Sequence, residues 1–216
     1  MQPAPPAPRV VVRGQAVTEV QPDAADLTVT VEVRDRRRDA ALTRLTERQQ
    51  ALTDLLEAAR GDLDGVATDA VAVYPEAGDG TRISGHVAVT TTRVRMADVA
   101  AAGELAVAVA TLPDTSLHGP HWRVSRGHPV HQQVRTDAVA DAVSRARAYA
   151  AALGCRLTGL VEVRDVDTHG GGSMRAFATS APGSPRLDLQ PAPQEVHGQV
   201  EATFTMSVPD QEVFTR

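Results

Sequence analysis

Four alanines at a constant spacing constrain the fold of this chain more than any other feature of its sequence. They are Ala138, Ala142, Ala146 and Ala150. They lie in a helical segment at about residues 130–153, directly before Gly154. Residues four apart share one helix face, and a face of small side chains lets a helix lie close to another surface. The spacing therefore predicts a long helix that packs closely onto the rest of the fold.

Two segments alternate strictly between apolar and polar residues. One is residues 27–34, in which Leu27, Val29, Val31 and Val33 point one way, and the other is residues 200–208. A period of two is typical of a strand with one buried face. Both segments are therefore predicted to be strands that lie on a core.

The first predicted helix, at about residues 36–60, has an apolar stripe with one polar interruption. The stripe consists of Leu42, Leu45, Leu52, Leu56 and Ala59, and it is interrupted by Gln49. Helical periodicity of this kind predicts that one face of the helix lies on the core, and Gly61 is expected to end the helix.

Shorter patterns predict the remaining elements. Strands are expected at residues 9–14 and 17–21, with a bend or bulge at Gly14, and at residues 66–74, 82–95, 121–125 and 157–166. A further helix is expected at residues 96–110. This order predicts an α+β fold, with an antiparallel or mixed sheet covered by about three helices.

The distribution of glycine and proline indicates the domain organisation. Residues 1–8 form a proline-rich lead that we expect to be disordered, and residues 9–210 are predicted to form a single domain. The stretch at about residues 167–194 is rich in Gly, Pro and Ser and has no sustained apolar period, which predicts a mobile loop.

The charge of the chain argues against nucleic acid as a partner. The formal net charge is −5, whereas binding to a phosphate backbone requires a basic surface. The basic run of Arg36, Arg37 and Arg38 is local, and Asp35 and Asp39 flank it.

The cysteine content and the hydropathy of the chain give an expectation for its cellular location. The lone Cys155 excludes an intrachain disulfide, so the cytoplasm is the expected location for the sequence as it stands. Export or a periplasmic location would be expected if a leader had been removed. No run approaches the roughly 20 apolar residues of a membrane span.

Several short motifs, taken in order, resemble the SIMPL domain family of bacterial proteins. They are Arg13-Gly14-Gln15-Ala16, Pro22-Asp23-Ala24-Ala25, Tyr74-Pro75, Gly85 and the alanine repeat closed by Leu153-Gly154. Ala16 stands where the family often has a second glycine, and His86 where an aromatic residue is common. The resemblance implies an α+β domain, often exported in relatives, with roles in stress tolerance or the cell envelope. It implies no agreed catalytic residues.

Two His-x-x-His pairs are the sharpest candidate for a metal site. His118 and His121 form one pair, and His128 and His131 form the other. Four imidazoles can bind zinc tetrahedrally. The pairs fall on different local elements, with no carboxylate at a suggestive spacing to orient them. We therefore predict exposed loop histidines and no metal ligands.

Cys155 is the candidate nucleophile, because Arg156 beside it could lower the pKa of its thiol. Its position after Gly154 usually takes a small apolar residue, and a buried thiol would be inert.

The run His169-Gly170-Gly171-Gly172-Ser173 is similar to an esterase oxyanion loop, but the accompanying Gly-x-Ser-x-Gly motif is missing. The aspartates Asp137 and Asp141 are one helical turn apart and are expected to serve solubility and local hydrogen bonds.

The sequence therefore predicts a non-enzymatic protein that works by binding or self-assembly, with no catalytic, cofactor-binding or metal residues. A homo-oligomer is the expected state. The alternative is a metal-dependent or thiol-based enzyme that uses His118, His121, His128 and His131, or Cys155.

Overall fold

The computed structural model describes residues 7–78, 83–166 and 189–210. Within them the strands are β1 (Arg9–Val20), β2 (Ala24–Asp35), β3 (Leu63–Ala77), β4 (Ile83–Met96), β5 (Thr115–Arg123), β6 (Leu157–Asp165) and β7 (Gln194–Met206). The helices are α1 (Arg38–Ala58), α2 (Val99–Ala110) and α3 (Val130–Ala152), with a 3-10 turn at Arg60–Asp62. The predicted α+β class is confirmed, and the strands form two antiparallel sheets.

Contacts divide the chain into two compact units. One contains β1, α3, β6 and β7 and is called the three-stranded unit. The other contains β2, α1, β3, β4, α2 and β5 and is called the four-stranded unit.

A single domain over residues 9–210 stays a prediction. The proposed lead at residues 1–8 and the proposed loop at residues 167–194 fall mostly outside the described residues. None of the described helices is long and apolar enough to cross a membrane.

The three-stranded unit has the strand order β1-β7-β6, and helix α3 packs against β1 and β7. The alanine repeat provides the buried face of this helix, as predicted. Ala138, Ala142 and Ala146 of the repeat meet an apolar row on the sheet made up of Val12, Val200, Ala202 and Phe204. Because the helix side chains are small, the backbone of α3 lies close to the sheet.

Gly14 and Gly198 mark the closest approach of α3 to this sheet. A Cβ atom at Gly14 would collide with the carbonyl oxygen of Ala138 and would lie 2.6 Å from the backbone nitrogen of Ala142. A Cβ atom at Gly198 would collide with the carbonyl group of Val134. The expected bend at Gly14 is wrong: β1 runs unbroken from Arg9 to Val20, and the glycine makes room for the helix backbone.

The four-stranded unit has the strand order β3-β4-β2-β5, and helices α1 and α2 cover one face of its sheet. The alternating apolar residues of β2 are fully buried there, as predicted. They meet Ala41, Leu45, Leu52 and Leu56 of α1. Each large aliphatic side chain buried in this way contributes about 1.5–3 kcal/mol to stability. Leu42, expected in the helix stripe, is exposed, and Ala41 occupies the core-facing position.

Three elements begin at residues other than those predicted from the sequence, and local interactions explain each difference. Helix α2 begins at Val99 and not at Met96, because the Asp98 carboxylate caps it by accepting from the backbone nitrogen of Ala100 at 2.7 Å. Strand β5 begins at Thr115, although it was expected at residue 121. Its sequence contains Gly119-Pro120, which hides a strand pattern and is tolerated at the edge of a sheet. Strand β7 begins at Gln194, because pairing with β1 extends it beyond its apolar alternation.

Candidate functional site

A cleft of about 470 Å³ lies on the four-stranded unit, between the C-terminal half of α1 and strand β3. Helix α1 contributes Gln49, Thr53 and Leu56, and strand β3 contributes Val66 and Thr68. Thr92 of β4 also lines it. The volume falls within the range of roughly 300–1,000 Å³ that is typical of small-molecule pockets.

The sequence explains why this cleft is polar. Gln49 lies four residues after Leu45 and three before Leu52, so it occupies a core-facing position of the α1 stripe. On the sheet, Thr92 lies directly opposite Thr68 on β3 and opposite Val29 on β2. Residues directly opposite each other share one face of a sheet. A polar patch thus interrupts an otherwise apolar helix–sheet contact.

Two polar atoms in this patch have no hydrogen-bond partner within the described part of the chain. They are Gln49 Oε1 and Thr92 Oγ1, and Thr92 is only 1% exposed. By contrast Thr90, two residues earlier on the same strand face and 3% exposed, donates its hydroxyl to the Ala70 carbonyl oxygen at 3.2 Å. Leaving a buried polar group unpaired costs about 1–3 kcal/mol. Such groups are few in native proteins, and a functional role or a bound molecule is among the explanations for them.

The charged residues around the cleft are paired with each other. Glu57 accepts from Arg60 at 2.9 Å. Asp64 lies 3.6 Å from Arg123 and 3.9 Å from Arg95. The groups without partners are therefore neutral, and the cleft can offer hydroxyls and an amide oxygen to a ligand without a dominant charge.

The outer strand of the same sheet, β3, has a second notable surface. It lies at the end of the strand order, so among the described residues only one of its edges is paired. Between Ala70 and Glu76 its pairing with β4 has no register shift, and the stretch from Ala70 to Tyr74 carries no charge. Val71 is 66% exposed, and Tyr74 is also exposed. An unpaired apolar edge of this kind is a template for strand addition.

The family model named SIMPL, described as a protein of unknown function (DUF541), matches residues 10–204. The chain belongs to the SIMPL family. No match was found among curated proteins.

The small residues of the SIMPL-like motifs lie at packing positions in this structure, whereas Tyr74 is exposed. Gly14 lies beneath α3, and Ala25 is fully buried in the core of the four-stranded unit. A Cβ atom at Gly85 would lie 3.0 Å from the carbonyl oxygen of Asp35. The glycines and alanines of the SIMPL-like motifs therefore describe how the chain packs, and the polar cleft depends on Gln49 and Thr92, which are outside these motifs. The interruption of the helix stripe by Gln49 is the sequence signal that could have revealed the cleft.

The structure brings the candidate histidines together only in part. His118 and His121 lie on β5, with their rings in edge-to-face contact and centroids 4.8 Å apart. His128 Nδ1 accepts from the backbone nitrogen of Val130 at 3.1 Å, at the start of α3, and His131 lies within that helix. Among the described residues, no three His, Cys, Asp or Glu side chains form a group that could hold a metal ion.

Cys155 lies half-buried in a second cleft, on the three-stranded unit. Its thiol donates weakly to the Leu153 carbonyl oxygen, with sulfur and oxygen 3.5 Å apart. Arg147 and Arg156 line the same cleft, together with apolar residues such as Leu157 and Phe204. Of the described residues, no histidine or carboxylate in this lining could act as a general base for the thiol.

The helix aspartates differ in their surroundings. Asp141 accepts a hydrogen bond from the backbone nitrogen of Gln15 and another from Arg145 Nε. The Gln15 hydrogen bond, followed by the hydrogen bond and charge of Arg145, holds the pKa of Asp141 below its ordinary value against the opposing effect of desolvation. Asp137, one turn earlier, is exposed. Asp141 thus ties α3 to β1, which is a structural role.

Proposed function

We propose that this SIMPL protein works by binding and self-assembly, without catalysis, and that β3 is the strand through which two copies associate. The observation that carries the proposal is the uncharged, largely exposed segment from Ala70 to Tyr74, whose outer edge pairs with no strand in the described part of the chain. A second copy would add its own β3 to this edge, so that main-chain hydrogen bonds provide affinity and the apolar side chains add buried area.

The chemistry of β3 favours a second copy as the occupant. Two identical strands that pair antiparallel about a twofold axis, centred near Ala72, bring this uncharged segment opposite itself. No like charges then face each other between Ala70 and Tyr74. The flanking carboxylates are already neutralised within the chain, because Asp69 pairs with Arg93 at 2.8 Å and Glu76 pairs with Arg34 at 3.4 Å.

Sedimentation velocity and light scattering over a range of concentrations test this proposal. Val71→Glu would place two carboxylates near the centre of the paired strands, so we expect this variant to remain monomeric where the natural protein associates. Val11→Glu is the matched control. Val11 is 60% exposed on another outer strand, β1, and this variant should associate like the natural protein.

Thermal unfolding of both variants separates assembly from folding. Both valines are exposed, so each substitution should leave the fold of the monomer intact. A natural protein that stays monomeric at high concentration would refute the proposal, as would a Val71→Glu variant that associates normally.

A further inference from the structure

We propose that the cleft between α1 and β3 binds a small neutral polyhydroxylated molecule, a sugar or polyol. This proposal goes beyond self-assembly and does not depend on it. It starts from Gln49 Oε1 and the nearly fully buried Thr92 Oγ1, for which the described residues provide no hydrogen-bond partner. Both oxygens belong to residues that line one cleft.

The hydrogen-bonding capacity of these two groups defines part of the ligand. An amide oxygen can only accept a hydrogen bond, whereas a threonine hydroxyl can donate one and accept others. The ligand must therefore supply a donor to Gln49 and either a donor or an acceptor to Thr92. Hydroxyl groups satisfy both, because each can donate and accept at once. Thr68, directly across from Thr92 on β3, adds another hydroxyl to the same lining.

The charged residues around the cleft limit the net charge of the ligand. Glu57 is paired with Arg60, and Asp64 lies between Arg95 and Arg123. Arg123 also pairs with Asp26 at 2.9 Å, so each of these charged groups has a partner of opposite sign. An ionic ligand would have to compete with the partners already present in these pairs, whereas a neutral ligand leaves them in place. Leu56 and Val66 supply apolar surface against which the C–H groups of a sugar ring can pack.

The protein supplies its own matched control in two threonines of the same strand face. Thr92→Val removes the unpartnered hydroxyl while keeping the shape of the side chain. Thr90→Val removes a hydroxyl that is already bonded to the Ala70 carbonyl oxygen, and Thr90 does not line the cleft. Thr92→Val should melt at or above the natural protein's temperature, because it removes an unsatisfied buried group. Thr90→Val should melt lower.

Binding is measured by isothermal titration and ligand-observed NMR with the full chain. The probes are D-glucose, trehalose and myo-inositol, with D-gluconate as a charged probe and propionamide as an amide probe. We expect saturable binding of at least one neutral polyol, weakened about tenfold or more by Thr92→Val and unchanged by Thr90→Val.

Three results would overturn the proposal. One is the absence of saturable binding by every neutral polyol. Another is equal binding by the natural protein and Thr92→Val, which would place the site elsewhere. The third is tighter binding of gluconate or propionamide than of any neutral polyol, which would assign the cleft to a different ligand class.

Discussion

The backbone nitrogen of Gln15 donates a hydrogen bond to Asp141 Oδ2 over 2.9 Å, joining the outer strand β1 to helix α3. The residues lie 126 positions apart in the chain. The same carboxylate oxygen also accepts from Arg145 Nε at 2.8 Å. A charged group therefore holds the closely packed helix in its register on the sheet.

This contact predicts a pH-dependent contribution to stability. The pKa of Asp141 is lowered in the folded state, mainly by the Gln15 hydrogen bond and then by Arg145, so the charged form is favoured on folding. The contribution is present above the ordinary aspartate pKa of 3.8 and is lost as the pH falls through the lower folded value. Asp141→Asn, which mimics the protonated acid, should lower the free energy of unfolding at neutral pH. Its difference from the natural protein should disappear in strong acid.

Urea unfolding at a series of pH values checks this prediction. Asp137→Asn is the control, because Asp137 is exposed one turn earlier on the same helix. A pH-independent difference between Asp141→Asn and the natural protein would contradict the assignment.

Enlarging the alanine face of α3 should destabilise the fold. Ala142→Leu or Ala146→Leu places extra methyl groups between a helix and a sheet that already touch, and overpacking of this kind costs about 1–3 kcal/mol. Ala148→Leu, on the exposed side of α3, should change stability little. Thermal or urea unfolding measures the difference, and equal stability of Ala142→Leu and Ala148→Leu would refute this packing.

Gly14, on the sheet side of the contact between α3 and β1, leads to a separate prediction. Gly14→Ala directs a methyl group at the backbone of α3, including the Ala142 nitrogen, which cannot move aside as a flexible side chain can. We expect a loss of about 1–3 kcal/mol or more in unfolding free energy. Gly61→Ala is the control, because a Cβ atom there meets nothing within 4 Å. Near-equal melting of Gly14→Ala and Gly61→Ala would be inconsistent with the close approach.

The last prediction concerns the Gly-, Pro- and Ser-rich stretch at residues 167–194. Its composition offers little apolar surface to offset the entropy of ordering it. Replacing residues 167–192 by a short Gly-Ser linker, which spares β7 from Gln194 onward, should leave the melting temperature nearly unchanged. Truncation after Gln199 should abolish soluble expression, because β7 is the central strand of its sheet and pairs with both β1 and β6. Unfolding caused by the linker alone would show that the stretch contributes to the fold.

Periodicity by itself determined the elements whose side chains face a core. The alternation at residues 27–34 and the alanine repeat of α3 both specify a buried face, because strand and helix periods project every second or every fourth residue to the same side. Patterns of this kind are local, and they predicted β2, α3 and the α+β class correctly. The motifs that resemble the SIMPL family are equally local, and the family model matches nearly the whole chain.

Only the tertiary structure decided which partners these faces meet. Gly14 suggested a bend in the sequence, and its actual role is to admit the backbone of α3, which lies more than a hundred residues later. Strand β5 was hidden by Gly119-Pro120 and is defined by its pairing with β2. The cleft between α1 and β3 shows this dependence most clearly. Gln49 is visible in the sequence as an interruption of the helix stripe. Thr92 resembles any other strand residue in the sequence, and its unsatisfied hydroxyl becomes evident only once α1 packs over the sheet. Hydrogen-bond satisfaction of a buried group is set by neighbours distant in sequence, so local patterns do not contain it.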